Sequence, residues 1–177
     1  PALKSYDISD KVVYVTSFSK ILSPGLRVAV MTGGKEVIRK LVIAKQGTDL
    51  HTASLSQLIA CEYLKRGYLE KSLPVYRTRK EAMTRALDEF MPEEFHRTDP
   101  EGGLFIWGEF SVPLDAGKCF DDAVKRNVAY VPGSVFYADG KGQNTLRLNY
   151  SNADEEKIRR GVKALGEMFK QKISEVK

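Results

Sequence analysis

Two runs of β-branched residues, Val12-Val13-Tyr14-Val15-Thr16 and Leu26 to Thr32, stand close together near the start of the chain, and strand-like sequence does not return until about residue 102. Two strands make a poor sheet on their own. The first part of the chain therefore reads as an incomplete piece of an open α/β sheet, with Val12 to Thr16 as a buried strand. The stretch between the runs, Ser17-Phe18-Ser19-Lys20-Ile21-Leu22-Ser23-Pro24-Gly25, is rich in turn formers. In an open α/β sheet, a loop leaving the end of a strand is where chemistry is carried. The chain opens on Pro1, with no initiator Met and no charged-then-apolar leader, and is expected to be a piece of a longer protein.

Helical spacing follows. Val37, Ile38, Leu41 and Val42 share one face of a first helix, and Leu55, Leu58, Ile59 and Tyr63 one face of a second that ends near Gly67. A third helix is expected from Ser72 to Phe90, with Tyr76, Met83, Leu87 and Phe90 on its apolar side and Pro92 as its stop. The pattern then changes. Gly102-Gly103-Leu104-Phe105-Ile106-Trp107 reads as a strand entered through glycines, Asp115 to Arg126 as a short amphipathic helix, and Val128 to Val131 as a strand ended by Pro132-Gly133. Thr145 to Tyr150 alternates strictly, placing Leu146, Leu148 and Tyr150 on one face and Arg147, Asn149 and Ser151 on the other. A last helix is expected from an Asn152 cap with Glu155 in the capping-box position. Its buried stripe is Ile158, Val162, Leu165, Phe169 and Ile173.

Composition narrows the function classes. Lys and Arg exceed Asp and Glu by 28 to 23, a net charge of +5 over 177 residues. The basic residues are interspersed with acidic ones rather than gathered into the stripe that nucleic acid requires. No apolar run reaches the length of a membrane span. Neither nucleic acid nor a membrane is expected as a partner. Cys61 and Cys119 have no metal spacing and read as buried small hydrophobes in a reducing, cytoplasmic setting. His51 and His96 are isolated, and no metal site is expected.

Lys20 leaves the first strand among Ser17, Ser19, Ser23 and Arg27. A lysine at a strand end facing a cleft can be partly desolvated and become a usable amine nucleophile. Hydroxyls and one arginine are what a phosphate dianion wants. Amine plus phosphate cradle is the requirement of pyridoxal phosphate held as a Schiff base, although a solvated lysine in a surface loop has the same composition. Ser17 to Lys20 also fits S-x-x-K, the nucleophile motif of penicillin-binding proteins and β-lactamases. That motif's serine opens a helix, Pro24-Gly25 follow too closely for one, and no K-T-G stands anywhere in the chain. Arg147, on the open face of its strand, has two readings. It could take a carboxylate by a bidentate fork, or pair with a nearby Asp or Glu at the surface.

These segments occur together in an order that resembles the class I/II aminotransferases of fold type I. Ser17 to Arg27 is similar to that family's cofactor-lysine segment. Gly102 to Trp107, Val131-Pro132-Gly133-Ser134-Val135-Phe136, and Leu146 to Ser151 resemble its C-terminal landmarks. The nearest branch is that of the 2-aminoadipate, kynurenine and broad-specificity aminotransferases. The resemblance implies an α/β chain made of part of a fold-type-I transferase. Residues 1–70 would be a remnant of the large domain that binds pyridoxal 5'-phosphate, 71–92 the connecting helix, and 93–177 the small α+β domain. Lys20 would hold the cofactor as a Schiff base and move the α-proton. Ser17, Ser19 and Arg27 would bind its phosphate, and Arg147 the substrate carboxylate. The implied reaction moves an amino group from an amino acid to a 2-oxo acid in amino-acid metabolism, in a homodimer. Ala29 departs from the family's usual glycine two residues after the arginine. The acid for the pyridine nitrogen, its neighbouring tyrosine, the asparagine at the ring oxygen and the aromatic ring-stacker lie upstream of the lysine segment in this family. Pro1 to Lys11 supplies none of them, so the chain by itself is expected to be inactive as a transaminase. Two other readings share the lysine segment: the effector domain of a MocR-type transcription regulator, and a β-elimination enzyme of the same fold type.

Overall fold

The computed structural model describes residues 1–176, which divide into a unit at Pro1–Ser72 and a second at Leu73–Lys177. In the first, β1 (Tyr14–Ser17) and β2 (Ala29–Thr32) pair antiparallel, with Thr16 opposite Val30 and Ser17 opposite Ala29. Phe18 continues the ladder by donating its N–H to the Val28 carbonyl at 3.0 Å. The chain then runs through α1 (Lys35–Thr48) and α2 (Ser54–Lys65).

The expected burial fails here. Tyr14, Val15 and Val30 are exposed, so the first strand is not a buried one. No residue of α1 is buried, and Leu55, Leu58 and Ile59 of α2 are exposed. Phe18, Val28 and Ala60, with Leu22 and Leu26 packed against them, form the buried cluster among the described residues of this unit. Cys61, expected to be buried, is exposed. The physical cause is shared: a two-stranded ribbon and two helices expose more apolar faces than they can cover with each other.

α3 (Tyr68–Phe90) starts earlier than the spacing predicts, passes through Pro74 and stops just before Pro92. The proline lacks the N–H that would bond the carbonyl four residues back, and the helix continues without it.

The second unit holds a four-stranded antiparallel sheet of β3 (Phe95–Arg97), β4 (Phe105–Phe110), β5 (Val131–Pro132) and β6 (Thr145–Asn149), ordered β3-β4-β6-β5. In the central pair, Trp107 stands opposite Arg147, and Ile106 opposite Leu148. α4 (Phe120–Lys125) is shorter than predicted, because Asp115 instead caps a turn by accepting the Lys118 N–H at 3.1 Å. α5 (Glu155–Val176) has its predicted stripe fully buried. Its cap is Asp154, whose Oδ1 accepts the Lys157 N–H at 2.8 Å, and not Asn152.

Ile106, Phe110, Leu146, Leu148 and Tyr150 present one sheet face to Ala86 and Leu87 of α3 and to the α5 stripe. The Phe169 ring lies 4.7 Å from that of Phe110 and 5.8 Å from that of Tyr130. Fully burying side chains of this size contributes about 1.5–3 kcal/mol each. Gly166 of α5 is required by close approach: a Cβ there would lie 2.2 Å from the Phe90 carbonyl oxygen at the end of α3.

Candidate active site

Chemistry-bearing residues gather in both units. In the first, the Phe18 carbonyl accepts the N–H groups of Leu22 at 2.9 Å and Ser23 at 3.2 Å, closing a tight turn directly after β1. Phe18 anchors that turn in the buried cluster, and the Tyr63 hydroxyl of α2 donates to the Ile21 carbonyl at 2.7 Å. Lys20 sits within this turn. It is exposed, and it makes no hydrogen bond or ion pair with the described residues. The burial expected around the lysine is therefore not supplied by this unit on its own, because nothing in the unit covers the strand ends.

Ser17 and Ser19 are brought together. Their hydroxyl oxygens are 2.9 Å apart, and the Ser19 N–H donates to Ser17 Oγ at 3.1 Å. The ladder ends at Ser17 opposite Ala29, with the Phe18–Val28 bond beyond it, so Ser19 and Arg27 both lie in the connection that joins the two strands. Arg27 follows a short helical turn at Pro24–Leu26 in the left-handed region, at φ 53°, and its Nη1 donates to the Pro24 carbonyl at 3.2 Å. Two hydroxyls, an unpaired amine and a guanidinium thus share one short connection. The donor set fits an aldehyde cofactor carrying a phosphate dianion. Ala29 is exposed in the ladder and crowds nothing in this unit.

In the second unit the alternation of β6 holds. Leu146, Leu148 and Tyr150 are buried, while Arg147 is half-buried on the opposite face. Arg147 has no acidic partner among the described residues, which removes the surface ion-pair reading. Its guanidinium carbon lies 4.1 Å from the centre of the Phe105 ring and 4.6 Å from that of Phe136. Its Nε is buried without a hydrogen-bond partner. Trp107, across the ladder, packs edge-on against Phe136 at 5.7 Å and lies 6.3 Å from Tyr137. A donor withdrawn from water without a partner is costly, so this half-buried guanidinium is suited to an incoming anion.

The aromatic residues around Arg147 escape a reading by motif. Alternation along β4 would have put Phe105 and Trp107 on the face opposite Ile106. Phe136 comes from the helical turn Gly133–Phe136 and gives no such signal. That turn depends on Gly133, where a Cβ would fall 1.8 Å from Thr145 Oγ1. Gly103 adopts φ 91°, the tight entry expected before β4. Burial in this unit also raises the Cys119 thiol and the Tyr130 hydroxyl above their ordinary pKa values. Tyr130 donates to the Ala116 carbonyl at 2.6 Å. Among the described residues no cluster of His, Cys, Asp and Glu could hold a metal, and no helix is long and apolar enough to cross a membrane.

The first unit thus presents a strand-end lysine with paired hydroxyls, and the second an arginine on an open sheet face, without an acidic partner among the described residues. Comparison with known proteins gives the family: the model of aminotransferase class I and II matches residues 3–165, and the chain belongs to that family, whose members depend on pyridoxal phosphate. The chain is 49% identical over 162 residues to a 2-aminoadipate transaminase of Thermus thermophilus, covering 90% of this chain and 41% of that one. It superposes on a crystal structure of kynurenine aminotransferase from Pyrococcus horikoshii in complex with PMP, with a TM-score of 0.88, 46% identity, and coverage of 96% of this chain and 43% of that one. An uncharacterised HTH-type transcriptional regulator of Bacillus subtilis is similar at 34% identity, over 93% of this chain and 34% of its own. The chain thus spans about two fifths of the length of the enzymes it matches.

Proposed function

We propose that this chain is part of a pyridoxal-phosphate-dependent aminotransferase that moves an amino group from an amino acid to a 2-oxo acid. The observation that carries the reading is the lysine turn: an unpartnered amine directly after two hydroxyls that converge within 2.9 Å. In this reading Ser17, Ser19 and Arg27 hold the cofactor phosphate, Lys20 holds its carbonyl carbon, and Arg147 takes the substrate carboxylate. When bound, the cofactor supplies an electron sink for the charge left on the substrate when its α-proton is removed. The Lys20 amine would be the base that takes that proton and gives it back. Arg147 orients the substrate by a two-point grip that a lysine cannot reproduce.

Residues 1–70 belong, on this reading, to the large cofactor domain, 71–92 to the connecting helix and 93–177 to the small domain of a cytoplasmic homodimer. The higher identity to the transaminase than to the regulator supports the enzyme over the effector-domain reading.

Reductive labelling tests it. The chain is titrated with pyridoxal phosphate, followed by absorbance at roughly 410–430 nm, reduced with borohydride and mapped by peptide. Label concentrated on Lys20, and lost from it on Arg27→Ala, is the expected result. Label spread evenly over the lysines would sink the assignment of this loop.

A further inference from the structure

We infer that Phe105 and Phe136 are positioning residues for Arg147. Their ring faces stabilise the guanidinium cation and fix its plane while leaving its N–H donors free for a carboxylate. The inference rests on the proposed role of Arg147 as the carboxylate site and deepens it.

An arginine on a sheet face has two ways to keep its charge without a ligand. An acidic neighbour would neutralise it, but would occupy the donors that a substrate needs and would repel an incoming carboxylate. Arg147 has no such neighbour among the described residues. Phe105, two positions from the arginine's ladder partner on the same face of β4, and Phe136, from the turn after β5, hold it instead at 4.1 and 4.6 Å. Ring faces attract a cation through their quadrupole and accept none of its in-plane N–H bonds. The buried, unpartnered Nε is the consequence: one donor has been withdrawn from water and given nothing in exchange. The rings also restrict rotation of the guanidinium, so less freedom is lost when two parallel hydrogen bonds to a carboxylate form. Trp107, in a T-shaped contact with Phe136, buttresses that ring.

The test uses the whole chain with nitrogen-15 arginine. The Arg147 Nε–Hε resonance, assigned by its loss in Arg147→Lys, is followed during titration with 2-oxoglutarate. Fluorescence of Trp107, the chain's single tryptophan, is read in parallel. Saturable movement of the resonance is expected in the parent chain. Phe136→Leu and Phe105→Leu should each weaken binding about fivefold or more. Phe136→Tyr, which keeps the ring face, should stay within about twofold. Phe136 is half exposed, so its leucine variant should fold, and Phe105→Met serves if Phe105→Leu does not. Leucine variants that bind as tightly as the parent overturn the positioning role alone, provided Arg147→Lys has lost binding. A parent chain that does not saturate, or an Arg147→Lys variant that binds equally well, overturns the carboxylate reading and this inference with it.

Discussion

The two units are built from similar material and bury it very differently. α5 and α1 both carry apolar residues at helical spacing. Every stripe residue of α5 is buried, whereas α1 has no buried residue. The second unit closes a four-stranded sheet under α3 and α5, while the first offers a two-stranded ribbon and a three-residue buried cluster. An amphipathic pattern records that a face expects a partner. It does not say whether the partner lies within the same stretch of chain. Stability in this chain should therefore reside in the second unit, while most of the proposed cofactor chemistry sits on the first.

The widest separation between the units should come from deleting a core ring. Phe169→Ala removes a fully buried side chain that touches the rings of Phe110 and Tyr130. It should cost about 3–5 kcal/mol in urea unfolding followed by Trp107 fluorescence. A loss below about 1 kcal/mol would show that the core is not what holds the second unit. Gly166→Ala should cost about 1–3 kcal/mol, because its Cβ meets the backbone of Phe90 rather than a flexible side-chain tip.

Alkaline pH sharpens the comparison further. Cys119 and Tyr130 both have folded pKa values raised by burial. The unfolded chain therefore loses these protons first as pH rises through their ordinary values, near 9 and 10, and binds fewer protons than the folded chain. The second unit should lose stability steadily above about pH 9. Cys119→Ala combined with Tyr130→Phe should flatten that slope, and an unchanged slope in the double variant would refute the assignment. The smallest effect is expected in the first unit. Leu58→Ser on the exposed face of α2 should alter stability by less than about 0.5 kcal/mol. A large loss would mean that this face is covered in solution.

Much of the second unit was legible because its signals are local and redundant. The alternation of β6 sets Arg147 opposite Leu146 and Leu148, and the spacing of α5 names its buried stripe. β3, at three residues, is too short to show any period. The cap of α5 shifted from Asn152 to Asp154 because either side chain can accept the first-turn N–H, and only the backbone path decides. The lysine segment stood out in the sequence by its composition, and Ser17 and Ser19 do converge in it. The exposure of Lys20 and Cys61 was not legible, because burial depends on residues that a local pattern does not contain. Phe136 reaches Arg147 through a turn whose path is set by tertiary contact, and no spacing rule connects the two.

The pairing of Trp107 with Arg147 joins positions forty residues apart. Closing a loop of that length is entropically unfavourable until the β4–β6 ladder and the α5 core form together. The surroundings of Arg147 are thus a product of tertiary closure: Phe105 reaches it from the far end of that forty-residue loop and Phe136 from within it, and a chain that failed to close the loop would carry the arginine without the rings that hold it.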